Sequence, residues 1–554
     1  MYYRNLWICL IVLCGGFTTQ VEAQESPFAD NFPTIQILKN NSDSKGVLFS
    51  RNGIENDRFG TIYDTHGTLV FAQNANVITC LHYYPEVNKI GYYDADIACF
   101  VILNSKFEAE DTICAASGQA DLHDFHIFPN NDKMVYTPLD VVLDLSDDLT
   151  PSDTARLVRH YMIEKWNDTG QPYLFWNTQT HFDITDKPDY VNLNSTGSLN
   201  LFHLNAIEPV NDSIVLLSLR NIDQIAKVNL YTNEVIWRLG GKRNEFTFIN
   251  DERGFTDQHN VRLLPNGNIT IFDNGNYHDV PYSSMVEYEL DELNMTATLV
   301  RRSVADSVNV AGKKGGGQRL PNGNDLIDWG QNIAEQITVS EVTAEGETIW
   351  EAYFPKSNYR ISKHDFKSDL MVSVDSLLFT NSTPTLSLNL YNNGNEAITI
   401  NGIHLRDQDF AFNTLLPITI QAEQSADFDI SYQGQGLSDA LIADVLTLHF
   451  DTETRRIGHQ VELIFDPTIT ALETAVRNNQ MQLYPNPTKN NLAIRFDQNI
   501  PNKIVFYNAL GVALQEIKPT STQVINIENW ATGIYYIGCY DAMGKVTYQR
   551  FVKQ

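Results

Sequence analysis

At 554 residues the chain is long enough for three or four domains, each with a sizeable core. A formal net charge of −29 opposes nucleic-acid binding, because no basic surface offsets it. The six cysteines include no CxxC pair, which argues against zinc or thiol redox chemistry built on that motif.

Residues 1–23 read as an export signal. Arg4 supplies the positive start, Leu6 to Phe17 the apolar run, and Val21-Glu22-Ala23 the small-residue cleavage site. The run is too short to span a bilayer, and no later segment is long and apolar enough to do so. The mature protein is therefore expected to be soluble and outside the cytoplasm. Cys9 and Cys14 leave with the signal; among Cys80, Cys99 and Cys114 one disulfide could form in an oxidising compartment.

Beyond the signal, short alternating or β-branched runs are separated by Asn, Asp, Gly and Pro, and sustained helical periodicity is almost missing. The chain reads as all-β. Two kinds of hairpin recur. One is the turn at Phe128-Pro129-Asn130-Asn131, Pro209-Val210-Asn211-Asp212, Leu264-Pro265-Asn266-Gly267 and Leu320-Pro321-Asn322-Gly323. The other closes on an aromatic run, as in Tyr173-Leu174-Phe175-Trp176, Val235-Ile236-Trp237 and Thr348-Ile349-Trp350. With Asn211, Asn266 and Asn322 about 55 residues apart, two hairpins per period give four strands per unit, the pattern of a β-propeller blade. Five or six such units fit, and residues 24–365 are assigned to this propeller. Trp176, Trp237 and Trp350 read as blade core.

Residues 366–467 lose that repeat and show about seven short strands, which suggests an immunoglobulin-like β-sandwich. A short linker leads to a final block, 476–554. Its Tyr484-Pro485-Asn486-Pro487 opening, Val505-Phe506-Tyr507-Asn508-Ala509-Leu510-Gly511 strand-turn, Gly533-Ile534-Tyr535-Tyr536 strand and penultimate Lys553 resemble the C-terminal sorting domain of the type IX secretion pathway. That resemblance implies a small β-sandwich, the type IX secretion machinery as partner, and delivery to the cell surface or beyond.

Within the propeller, polar clusters precede the repeated turns: His123 and Asp124 with His126, then His203 and Asn205, then His259 with Arg262, then Gln318 and Arg319. Arg220 follows His203 by 17 residues. Histidines at equivalent repeat positions are expected to converge on one axis. A guanidinium among them favours a tetrahedral oxyanion over a cationic metal, because it offers two parallel N–H donors. A histidine with one ring nitrogen fixed presents the other as nucleophile or base. His66, His82, His160, His181, His278 and His364 lack the repeat placement and read as structural or surface groups. Gly315-Gly316-Gly317 is followed by a strand rather than a helix, so no nucleotide donor is expected.

As a set, His123-Asp124, His203-x-Asn205-x-Ile207, Ser218-x-Arg220-Asn221, Trp237-Arg238-Leu239-Gly240-Gly241, Gln258-His259 and Phe272-Asp273-Asn274-Gly275 resemble the arylsulfate sulfotransferase family over roughly residues 45–362. The resemblance implies a six-bladed propeller without metal or cofactor. It also implies transfer of a sulfuryl group from an aryl sulfate donor to a phenolic acceptor through a sulfohistidine. His259 would be the nucleophile; His123, His203, Asn205 and Arg220 would hold the sulfuryl oxygens, with Gln318 as the candidate for the last oxygen contact. Asn131 stands where the family has a turn glycine, and no cysteine pair lies near His259. A homodimer is compatible with this reading. Two rivals remain: a non-enzymatic propeller that binds a glycan or other ligand, and a metal-dependent hydrolase using His123, His126, His203 and His259.

Overall fold

The computed structural model describes residues 25–553 apart from 43, 55, 75–80, 147–154, 192, 194–196, 305–309, 333–337, 357, 382, 408, 435–440, 468–480, 485–487, 497–499, 509–512, 521, 532 and 541–545. The expected signal at 1–23, Cys80, the Pro485–Pro487 part of the tail opening and the Ala509–Gly511 turn lie outside the described residues. The described chain is all-β, with short 3₁₀ turns and no α-helix.

Six mainly antiparallel sheets follow one another along the first two thirds of the described chain. The fourth shows the plan: Leu204–Pro209, Ile214–Leu219, Gln224–Asn229 and Glu234–Gly240 pair in sequence order, each joined to the next by a short turn. Gly267 and Gly323 sit at φ 91° and 88° in the repeated turn, a conformation open to glycine because it has no Cβ. At the corresponding place Asn131 takes φ 63°, so asparagine serves there in glycine's stead.

Alternation along the strands puts apolar residues on both faces of each sheet, and those faces are covered by the neighbouring sheets. Tyr93, Phe100 and Ile102 of the second sheet pack with Phe125, Ile127 and Val135 beside or in the third. Trp176 and Ile163 of the third meet Val215 and Leu217 of the fourth. Trp237 and Leu239 of the fourth meet Val261 and Ile271 of the fifth, whose Phe272 and Met285 meet Ile327 and Val342 of the sixth. Trp350 and Val339 of the sixth then pack on Leu48, Phe59 and Tyr63 of the first. The cores thus follow a closed, propeller-like course. Trp176, Trp237 and Trp350 are all buried within it, and truncating any one to alanine would cost about 3–5 kcal/mol.

Backbone pairing closes the ring twice. Gln36–Asn40 adds to the outer edge of the sixth sheet by pairing with Thr348–Tyr353. Ser362–His364, which follows that sheet, pairs with Val47–Ile54 and becomes the inner edge of the first. Both chain ends of the ring are therefore held by strand partners on the opposite side of its seam. Cys99 and Cys114 form a disulfide at the edge of the second sheet.

The expected border at 365/366 is not a break in the sheet. Arg455–Phe465 pairs through Arg455, Arg456 and Ile457 with Gln73, Ala72 and Phe71 on the outer strand of the first sheet. That sheet continues into Ile442–Asp451 and Gly402–Leu405. Thr385–Asn392 and Ser425–Tyr432 form a second layer, and the core between them runs on into Phe49, Ile62 and Phe71. Asp64 accepts from Arg406 (3.1 Å) and Gln460 (3.0 Å) across the same junction. The last block has its own two sheets and its own core around Leu492, Ile494, Phe506, Ile537 and Phe551.

Candidate active site

Three histidines from three sheets face one another. The rings of His123 and His203 lie 5.0 Å apart, and those of His203 and His259 lie 6.4 Å apart. Tyr359, from the loop that leads to the closing strand, stands 5.2 Å from His123 and 6.3 Å from His259. All four contacts are edge-to-face.

Local backbone geometry delivers these rings. His203 itself sits at φ 43°, and Asp257 and Asn260 on either side of His259 both sit at φ 55°. The pairing registers slip directly after each histidine, between Leu204 and Ala206 and between His259 and Arg262, so each inner strand carries a bulge. The bulged residues then clasp the next sheet: Asn205 Nδ2 donates to Gln258 O (2.8 Å), and Asn260 Nδ2 donates to Gly317 O (3.0 Å). Left-handed backbone at non-glycine residues costs about 1–3 kcal/mol each and persists where surrounding contacts over-determine it.

The hydrogen-bond network assigns a different state to each ring. Asn200 Oδ1 accepts from the His203 backbone N–H (3.1 Å) and the Tyr161 hydroxyl (3.0 Å), which turns its Nδ2 toward His203 Nδ1 (3.0 Å). His203 Nδ1 is therefore an acceptor, and its proton is on Nε2. Asn274 is set the other way. Its Nδ2 donates to Ala311 O and Lys314 O, each at 3.0 Å, and its Oδ1 accepts from His259 Nδ1–H at 2.7 Å. His259 Nε2 therefore carries a free lone pair. His123 Nδ1 donates to the Asp121 carboxylate at 2.5 Å, and the same oxygen accepts the His123 backbone N–H at 2.9 Å.

Electrostatics keep two of these rings neutral. Burial, then the Arg220 charge, holds His259 well below the usual imidazole range. Burial, then His123, His259 and Arg220, does the same for His203. Arg220 Nη1 donates to Asn221 Oδ1 (2.7 Å), and Nη2 donates to Asp257 Oδ2 (2.9 Å) and Gly312 O (3.2 Å). Its Nε–H is buried with no partner among the described residues. An unmet buried donor costs about 1–3 kcal/mol, which an incoming anionic oxygen would relieve.

One residue along from His123 and from Tyr359 lies a buried ionic knot. Asp124 pairs with Arg360 (3.1 Å) and Arg262 (3.3 Å), and accepts the Ile207 backbone N–H (3.1 Å). Burial alone would raise the Asp124 carboxyl, but Arg262 and Arg360 outweigh it and hold the group ionised. Arg360 also donates to Asn205 O, which Tyr359 reaches as well (3.3 Å). The knot ties the third, fourth and fifth sheets to the closing loop.

Of the residues expected from sequence, His123, His203 and His259 come together, with Arg220 near enough to act on two of them. Asn205 stands one step back: it is fully buried, and its amide grips the residue before His259. The Gln318 amide clasps the closing strand, accepting from Lys363 N (2.7 Å) and donating to Lys363 O (3.0 Å), and so secures the seam of the ring. Sequence reasoning missed Asp121, Asn200, Asp257, Tyr359 and Arg360. Asp121, Asn200 and Asp257 carried a signal, since each lies within three residues of a site histidine. Asn274 lies in the Phe272-Asp273-Asn274-Gly275 motif, but nothing local in sequence shows that it holds His259.

Residues 96–355 match the family model described as arylsulfotransferase (ASST), and residues 482–554 match the secretion system C-terminal sorting domain. The chain is thus similar to the arylsulfotransferase family over residues 96–355, and its C-terminal sorting domain indicates type IX secretion to the cell surface or exterior. No curated protein matches it. Among solved structures it is similar to a streptogramin B lyase, at 10% identity over 77% of this chain and 98% of that one, with a TM-score of 0.26. It is similar to a putative gluconolactonase at 10% identity over 75% and 99%, with a TM-score of 0.27. The YadV chaperone matches 33% of this chain and 99% of its own, at 12% identity and a TM-score of 0.16.

Proposed function

We propose that residues 24–365 form a six-bladed β-propeller that moves a sulfuryl group from an aryl sulfate to a phenolic acceptor in two steps. An immunoglobulin-like sandwich at 366–467 and the sorting tail complete the chain. The observation that carries this reading is the Asn274–His259 contact: an amide oxygen fixed by two carbonyls holds the His259 proton on Nδ1 and leaves Nε2 as a nucleophile.

In the first step His259 Nε2 attacks sulfur, the S–O bond to the phenol breaks, and a sulfohistidine forms. The positive charge that appears on the ring is met by Asn274 Oδ1. The sulfuryl oxygens receive the His203 Nε2–H and the Arg220 guanidinium, donors already oriented before substrate arrives. In the second step an acceptor phenol takes the group and restores the neutral imidazole. Asn205 positions His259 through Gln258 and need not touch the substrate.

The test supplies the purified mature protein with a chromogenic aryl sulfate and no acceptor. The peptide containing Gln258-His259-Asn260 is expected to gain the mass of one sulfuryl group and to lose it when a phenol is added. Transfer between two phenols with no such adduct, under conditions where a sulfohistidine survives, would overturn the two-step mechanism.

A further inference from the structure

We propose that Asp121 and His123 form the proton-transfer dyad of this site, with His123 as the acid and base and Asp121 as the residue that positions and charges it. The inference rests on the sulfuryl-transfer reading and assigns the one task that reading leaves open, the fate of the phenol proton.

The other candidates are excluded by their partners. His203 receives an N–H at Nδ1 from Asn200, an amide whose oxygen is held by two other donors. It can keep its single proton on Nε2 but has no free position for a second. His259 Nε2 forms the bond to sulfur. The Tyr359 hydroxyl lies on Asn205 O, and burial raises its pKa, so it holds its proton. His123 alone has a carboxylate on Nδ1, at 2.5 Å, the partner that stabilises an imidazolium without itself accepting the proton. Asp121 is held in turn by its backbone N–H donating to Tyr136 O (2.7 Å) and by its oxygen accepting the His123 backbone N–H. His123 faces the rings of His203 and Tyr359, so it stands within the cluster and not at its rim.

The proton balance closes. As the N–S bond to His259 forms and the S–O bond breaks, the leaving phenolate takes the Nε2 proton of the His123 imidazolium and departs as a phenol. The neutral His123 then takes the proton of the acceptor phenol as its oxygen attacks sulfur and the N–S bond breaks. The imidazolium and the free His259 lone pair are both restored, and no further reactant is needed.

A series of aryl sulfates whose phenols differ in acidity separates this role from a structural one. With nitrophenyl sulfate the leaving phenolate needs little help; with phenyl sulfate it needs a proton. Asp121→Asn, nearly the same shape, is expected to lose on the order of a hundredfold in kcat/KM on phenyl sulfate but less than about tenfold on nitrophenyl sulfate. A plot of log kcat/KM against phenol pKa would thus become steeper than for the parent. His123→Gln, which keeps an N–H donor but no acid, is expected to steepen it likewise. Equal losses across the series in both variants would overturn the dyad and leave sulfuryl transfer standing. A parent protein that transfers from none of the donors would overturn the transfer reading itself, and the dyad with it.

Discussion

The inner edges of the fourth and fifth sheets are built alike and act in opposite senses. Each puts a histidine just before a bulge, and each bulge sends an asparagine amide to the carbonyl of the next sheet. The difference is made from outside the strand. Asn200, in the preceding loop, gives His203 an N–H; Asn274, at the end of the paired strand, gives His259 an oxygen. A repeated scaffold can therefore place identical side chains in equivalent positions and still leave one ring an N–H and the other a lone pair at Nε2, by the orientation of a single amide.

That contrast can be broken most decisively by removing the rings. His259→Ala is expected to lower kcat/KM for a chromogenic aryl sulfate by about 10⁴-fold or more, as loss of a nucleophile does, and His203→Ala by about 10²–10³-fold, as loss of one oxyanion donor does. Equal losses would mean that the two rings share one role.

A smaller effect comes from the amides. Asn274→Leu is expected to reduce kcat roughly ten- to a hundredfold, comparable to losing an orienting hydrogen bond behind a functional histidine, and to slow adduct formation. Asn200→Leu is expected to act mainly on KM, because it loosens a ring that binds. If Asn200→Leu abolished the sulfohistidine while Asn274→Leu preserved it, the assignment of the two tautomers would be reversed.

The smallest effect concerns what the two rings have in common, their neutral charge. Folded-state pKa values below the ordinary 6.5 mean that the unfolded chain binds protons first as pH falls. Burial adds His126, lowered to about 4, and His82, lowered to about 3, to the same group. Stability is therefore fully present above about pH 6.5 and is lost progressively as pH falls toward 4. The thermal midpoint is expected to drop by several degrees between pH 7 and pH 5, and His126→Gln to lessen that drop. A midpoint that rises on acidification would contradict the neutral state of these imidazoles.

How much of this could be read beforehand depended on sequence distance. The all-β class, the repeated turns and the buried tryptophans were legible because strand alternation and turn chemistry are local. His123, His203 and His259 could be singled out because each precedes a repeated turn. Tyr359 and Arg360 could not: they reach Asn205 across more than 150 residues, through a ring seam that no local pattern announces. The Gln318 contact was hidden for the same reason, since its partner is the closing strand rather than anything near it in sequence. The sheet shared with the following sandwich was hidden because an edge strand looks the same whether solvent or another strand lies beside it.

The seam has a consequence for the order in which the molecule comes into being. Ser362–His364 supplies the inner edge of the first sheet, and the residues just before it supply Tyr359 and the Arg360 that grips Asp124 and Asn205. A growing chain can pair its hairpins as they appear, because those contacts are short-range, but the long-range closure must wait for the end of the ring to emerge. The floor beneath the histidines is thus among the last parts to be assembled, and a chain interrupted before residue 359 would hold all three imidazoles without the contacts that set them against one another.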